Sequence, residues 1–452
     1  MAENKKAKLS PRMWFNLIVF GLMGQIAWNV ENMYFNTFLY NSVYTGASQQ
    51  AVDGSINVMT AISLMVALSA ATAVITTFIM GTLSDRMNKR KVFISVGYIA
   101  WGVVTGAFGF ISRDNVQAIT GISDSVKILT ITVSTVIVMD CVMTFMGSTS
   151  NDSAFNAWVT DVTEESNRPF VETVLAVLPI AATGIVVGLG AVLTQMGYEK
   201  FFIILGALVS VCGIMGLFSL TDSKNGKKKD GNYFADLIYG FRPSVIKENG
   251  GLYLALAAMS IFGIAVQVFF PYIILYLQHV ILPASGELLS VKNIVCVVIA
   301  LVFILAAFLG LMKGAEKIGR TKVFIISGVL FCVGLFLMYF MKDIGMLLLA
   351  AAPMGAGYAL LTILFSASIR DMTPEDRVGQ FQGVRMIFAV LLPMVFGPMI
   401  GNIAIQNSAV TYINEYNVEA ILPSSLMFLC ASVVGLLLFI PVIALNKKGM
   451  KK

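Results

Sequence analysis

Long apolar stretches separated by short polar segments run the length of this chain. Twelve reach the length of about 20 residues that crosses the hydrocarbon core of a bilayer. They lie at approximately 14–40, 56–82, 91–112, 127–158, 169–195, 200–221, 250–278, 289–313, 322–341, 345–369, 379–406 and 424–446. These stretches lack the continuous polar face that a helix on a soluble core presents to water. The pattern therefore predicts an all-α membrane protein. Its twelve transmembrane helices would form two six-helix bundles related by pseudo-symmetry. The longest polar stretch, 222–248, carries Lys224, Lys227, Lys228 and Lys229 and joins the sixth span to the seventh. It divides the chain into an N-terminal bundle, 1–221, a linker, 222–248, and a C-terminal bundle, 249–452.

The polar segments repeat. Gly81-Thr82-Leu83-Ser84-Asp85-Arg86-Met87-Asn88-Lys89-Arg90-Lys91-Val92-Phe93-Ile94 has a counterpart in Gly314-Ala315-Glu316-Lys317-Ile318-Gly319-Arg320-Thr321-Lys322-Val323-Phe324-Ile325. Asp161 through Arg168, after the fourth span, is echoed by Asp371 through Arg377, after the tenth. Ile26-Ala27-Trp28-Asn29-Val30 through Tyr34 is echoed by Ile264-Ala265-Val266-Gln267-Val268 through Tyr272. Repeated halves with a site at their interface are the architecture of secondary transporters.

Composition narrows the function classes. Hydrophobic residues make up 57% and charged residues 12% of the chain, the latter about half the share in a soluble domain. The five Cys (141, 212, 296, 332, 430) lie in apolar segments without metal or redox spacing, so they read as small core residues. His279 is the single histidine. No metal site, no cofactor and no enzymatic activity are expected. The basic balance is not a nucleic-acid signal, because Lys and Arg sit in short loops. With both termini in the cytoplasm, 25 of the 31 Lys and Arg fall on the cytoplasmic side, as the positive-inside rule requires. The first span is too long for a cleavable signal and lacks a small-residue cleavage site.

Polar residues inside the spans are the candidate site. The fourth span carries Asp140, Thr144, Ser148, Asp152 and Asn156, each four residues from the next, which places them on one helix face. Gln25, Asn29, Asn32 and Asn36 share a face of the first span. Carboxylates and amides together offer the acceptors and donors that a hydroxylated solute needs, and Trp28 and Tyr34 can stack on its apolar face. The bland alternative is hydrogen bonding between helices. Glu31, on the opposite face from Asn29, is either a protonatable coupling group or a partner for a base such as Arg385. Asp140 and Asp152 are the other coupling candidates. In the second half, Gln267 and Tyr272 echo the first span, Pro271 weakens the helix there, and Thr362 and Ser366 occupy the places of Asp152 and Asn156.

The loop Gly81-x-x-x-Asp85-Arg86-x-x-Lys89-Arg90-Lys91, in the right loop of a twelve-span chain, resembles the signature of the major facilitator superfamily. Asp371-x-Thr373-Pro374-Glu375-Asp376-Arg377 through Gly383, and Asn151-Asp152-Ser153-Ala154-Phe155, are similar to segments of its glycoside-pentoside-hexuronide:cation symporters, the melibiose permease-like family. That resemblance implies a sugar or glycoside moved by alternating access, with Asp152 and Gln25 at the places of two acids that hold sugar hydroxyls. It also exposes departures. The two acids of that family's cation site fall on Ala73 and Thr77, and its lysine in the eleventh span is absent from Leu391-Leu392-Pro393-Met394-Val395. Coupling to protons, or none, is expected rather than coupling to sodium.

The expected solute site is thus Gln25, Trp28, Asn29, Asn32, Asp152, Asn156, Gln267, Tyr272 and Thr362. The expected gates are Asp85, Arg86, Asp161, Arg168, Glu316, Lys317, Asp371 and Arg377, whose opposite charges can lock one of two states. The partners implied are a small solute, a sugar above all, with H+ as the coupling ion and membrane lipid around a monomer in a bacterial plasma membrane. Two rival classes remain. A carrier of drugs, lipids or organic anions would favour a basic cavity, and a non-transporting receptor would not need acids in the loops.

Overall fold

The computed structural model describes residues 9–87, 89–164, 167–222, 239–285, 291–374 and 378–448. Among the described residues twelve long helices follow one another. They are α1 (Pro11–Tyr44), α2 (Val58–Met87), α3 (Arg90–Phe110), α4 (Ser125–Val162), and α5 and α6, which share the stretch Arg168–Ser219. The second set is α7 (Gly250–Ile281), α8 (Val291–Ile318), α9 (Arg320–Phe340), α10 (Ile344–Met372), α11 (Gly383–Ser408) and α12 (Leu426–Leu445). Among the described residues eleven helices are long and apolar enough to cross a bilayer, and the apolar part of α5 is the shorter Val177–Gly190. Gly197, at φ 78° and ψ 164°, breaks the stretch between α5 and α6; that left-handed conformation favours glycine.

The chain divides into two compact units. One comprises Met1–Ala61 and Ala71–Gly231, the other Ile62–Ala70 and Asn232–Lys452. In the first unit α3 packs on α6 without intervening side chains. A Cβ on Gly102 would collide with the carbonyl of Gly206, and one on Gly206 with that of Gly102. Small residues at helix contacts are what lipid-embedded packing requires, because lipid supplies no hydrophobic drive between helices. Where α1, α3 and α6 converge, Phe35, Phe38, Phe108 and Phe202 interleave at centroid distances of 4.2–6.5 Å. In the second unit α9 and α10 approach in the same way, with a Cβ on Gly357 standing 2.5 Å from the Ser327 carbonyl.

Two departures from regular α-helix bear on the site. π-Helical turns occupy Glu31–Phe35 and Leu39–Tyr44 in α1 and Ser148–Phe155 in α4; such turns are rare and concentrate at functional positions. In α7, Phe270–Tyr272 tightens into a 3₁₀ turn around Pro271. Among the described residues, the one feature outside an all-helical plan is a hairpin between α11 and α12. It pairs Thr411–Ile413 with Glu419–Ile421 antiparallel, with Asn417 at φ 55° in its turn.

Candidate functional site

The polar ridge of α4 runs from a buried end to an open one. Asp140, Thr144 and Ser148 are buried, Asp152 is half-buried and Asn156 is exposed. Ser148 Oγ donates to Asp152 Oδ2 at 2.9 Å, so one carboxylate oxygen is already engaged. Trp28 of α1 lies within hydrogen-bonding reach of the same carboxylate, and its buried indole N–H closes no hydrogen bond of ordinary geometry. The ring is fixed from behind, 5.0 Å from Trp101, with Gly147 of α4 leaving room for both. Next to Asp152, Asn151 donates to the Tyr98 hydroxyl at 2.7 Å, and that hydroxyl donates to the Phe20 carbonyl at 2.7 Å. Gly24 permits this chain of bonds, because any Cβ there would strike Asn151 and Tyr98. The geometry therefore holds α1, α3 and α4 together around Asp152 while leaving the carboxylate itself half-open.

The amides of α1 are less free than their spacing implies. Asn29, Asn32 and Asn36 each donate one hydrogen bond to the carbonyl four residues back, at 2.8, 2.7 and 2.9 Å. An amide NH₂ has a second donor and its oxygen has two lone pairs. On Asn29 the oxygen accepts from Thr183 of α5 at 3.1 Å. Gln25, Asn29 and Asn32 are half-buried, whereas Asn36 is buried at 1% exposure.

Glu31 faces helix α4. Thr144 Oγ1 donates to its Oε1 at 3.1 Å. Asp140, one turn before Thr144, lies within Coulombic range of Glu31.

In the second unit Gln267 is half-buried on α7 beside Gly397, and Thr362 is exposed with its hydroxyl on the Tyr358 carbonyl at 2.8 Å. Arg385 is exposed. Tyr272 departs from its expected place in a solute site. It is fully buried, and its hydroxyl donates to the Pro398 carbonyl of α11 at 2.9 Å. Tyr34, its echo in α1, is also buried and donates to the Val186 carbonyl of α5 at 2.9 Å. The repeated tyrosine is thus a repeated packing bond between first and fifth, then seventh and eleventh helices.

The loop charges also pair within each unit. Arg90 at the start of α3 reaches Asp161 at the end of α4 at 3.1 Å and bonds Ser84. Arg320 at the start of α9 reaches Asp371 at the end of α10 at 2.8 Å. Sequence reading named both acids and missed both arginines as their partners. A partial signal was present, since Arg90 and Arg320 fall one position apart when the repeated loops are aligned on Lys-Val-Phe-Ile. Arg86 is exposed. Arg377 and the side chains of Asp85, Arg168, Glu316 and Lys317 lie outside the described residues.

The profile of the Major Facilitator Superfamily matches residues 13–314 and 289–451. No curated protein matches the chain. Among solved structures, the nucleoside transporter NupG superposes with TM-score 0.64 at 11% identity, covering 95% of this chain and 99% of its own. The partially occluded, inward-open xylose transporter XylE from E. coli gives TM-score 0.61 at 12% identity, covering 97% and 99%. A bacterial homologue of the human lysosomal transporter Spinster, inward-facing and unoccupied, gives 0.57 at 12% identity, covering 97% of each.

Proposed function

The chain belongs to the Major Facilitator Superfamily, and we propose that this integral membrane solute transporter, which is no enzyme, carries a sugar or glycoside by alternating access. The observation that carries the reading is the half-buried Asp152 beside the Trp28 indole, with the half-buried amides of Gln25, Asn29 and Asn32 on the same helix as Trp28. A carboxylate accepts hydroxyl donors strongly, an indole N–H donates back, and its ring offers a flat apolar surface to the C–H face of a pyranose. The resemblance of Asn151 through Phe155 to the melibiose permease-like family supports the same class. So do the nucleoside and xylose cargoes of two proteins that share the fold, since both are hydroxylated rings.

In this reading the two bundles, 1–221 and 249–452, are tethered by 222–248 and rock about a central solute. The gating charges are Asp85, Arg86, Asp161, Arg168, Glu316, Lys317, Asp371 and Arg377, and they close one state and release the other. Both termini face the cytoplasm of a bacterial plasma membrane, and the carrier works as a monomer. Transport is driven by protons or is facilitative, because Ala73 and Thr77 give sodium no carboxylate.

Tryptophan fluorescence of the purified protein, titrated with monosaccharides, disaccharides, glycosides, nucleosides and organic anions, tests the solute class. Saturable quenching by a sugar or glycoside, lost in Trp28→Phe, is expected. A response confined to anions or lipids would overturn the assignment.

A further inference from the structure

Among the described residues, burial separates two carboxyls from the other acids in the spans. Glu31 is 6% and Asp140 2% exposed. They sit on different helices, α1 and α4, yet close enough to feel each other's charge. Glu31 opens the π-helical turn of α1 and accepts from Thr144. Asp140 Oδ1 is buried and accepts no hydrogen bond. Asp152 stands twelve residues further along α4, about 18 Å at the ordinary rise of 1.5 Å per residue, and is half-buried.

A single buried charge in a membrane helix is costly, and two like charges at close range add their repulsion. One proton placed between the carboxyls removes one charge and the repulsion together. It also supplies the O–H donor that Asp140 Oδ1 lacks, while Thr144 keeps the other side of the pair oriented. The remaining titratable surroundings are sparse. Cys141 of α4 is beside both carboxyls and bonds Thr72 of α2. The span of α2 from Val58 to Gly81 contains no ionisable residue, and α5 contains none from Thr173 to Gly197. Tyr98 of α3 is near Asp152.

We propose that Glu31 and Asp140 form a one-proton site across α1 and α4, separate from the solute-facing Asp152, in which a single proton is held between the two carboxyls. The proposal rests on the transporter reading and gives its coupling proton a seat. The proton enters by leaving a hydronium ion as water and forming an O–H bond on one carboxyl, with the second carboxyl accepting from it. No other group changes covalently.

Infrared difference spectroscopy of the purified full-length protein, titrated with acid and base alone, reads the C=O stretch of protonated carboxyls. Wild type should show two separate protonation steps, the mark of coupled sites. Glu31→Gln and Asp140→Asn should each move the midpoint of the surviving carboxyl by about one pH unit or more. The double variant should lose these two steps and keep those of the remaining carboxyls, and Asp152→Asn should leave both steps in place. A single step in wild type, or single variants whose remaining carboxyl titrates as before, would overturn the proposal. Either single variant suffices, since each reports on the other group, and the wild-type curve decides alone if neither folds. The measurement uses no solute, so its failure leaves the sugar reading intact, and absence of sugar binding leaves the proton site intact.

Discussion

Replacing Asp152 by Asn isolates the charge at the centre of the proposed site. The substitution keeps volume and one acceptor oxygen, and removes the negative charge. Ser148 already donates to Oδ2 at 2.9 Å, so the second oxygen is the one left for a solute hydroxyl at full strength. Hydrogen bonds to a charged group contribute about 1.5–3 kcal/mol, against about 1 kcal/mol for neutral pairs. Loss of that charge assistance corresponds to roughly tenfold weaker binding, since each 1.4 kcal/mol is about a factor of ten. Folding should be spared, because Asn151, Tyr98 and Gly24 hold the neighbouring helices independently of the carboxylate. Isothermal titration of wild type and variant with the best-binding sugar reads the ratio. Ser148→Ala, which frees Oδ2, should change affinity less than Asp152→Asn. Unchanged affinity in Asp152→Asn for every solute that wild type binds would refute the reasoning and leave Asp152 a packing residue.

Other expectations follow from the charges at helix ends and from the missing sodium ligands. Arg90→Ala should lower the melting temperature more than Arg320→Ala. Arg90 and Asp161 are 9% and 23% exposed, against 29% and 56% for Arg320 and Asp371; exposed pairs contribute about 0–1 kcal/mol. Equal shifts in a thermal unfolding series would contradict the burial argument. Asp343 caps α10 and its carboxyl is held below the ordinary value by its hydrogen bond to Lys292. Its stabilisation is therefore full above the unfolded value, about pH 3.9, and fades as pH falls through the lower folded value. Asp343→Ala should accordingly destabilise at pH 7 and lose its effect in strong acid, which melting curves across pH will reveal. Uptake at fixed pH should be the same with and without sodium, and a large saturable stimulation by sodium would point to a cation site elsewhere.

Apolar period and length carried the helices, because a membrane span needs little more than about 20 apolar residues. The repeated loop carried the superfamily. What the sequence could not carry was local winding. An i, i+4 ridge presumes ordinary α-helix, and π-helical turns at Glu31–Phe35 and Ser148–Phe155 alter the winding where α1 and α4 meet. The first-span echo placed Tyr272 toward solute, yet both echoed tyrosines bond backbone carbonyls of neighbouring helices. A repeat preserves packing as readily as it preserves a site, and nothing in one sequence separates the two. The α1 amides were legible as a face. Their self-bonding to carbonyls one turn back was not, although side chains of this type compete for backbone groups as a rule. Glu31 was left between coupling and an ion pair, and only the packed helices show it against Thr144.

Uptake of labelled sugars and glycosides by proteoliposomes containing the purified chain tests the central claim most directly. Saturable uptake of at least one sugar or glycoside is expected, faster under an inward proton gradient or equal without it, and reduced in Asp152→Asn. No uptake of any sugar or glycoside by vesicles that take up an organic anion, drug or lipid instead would contradict it.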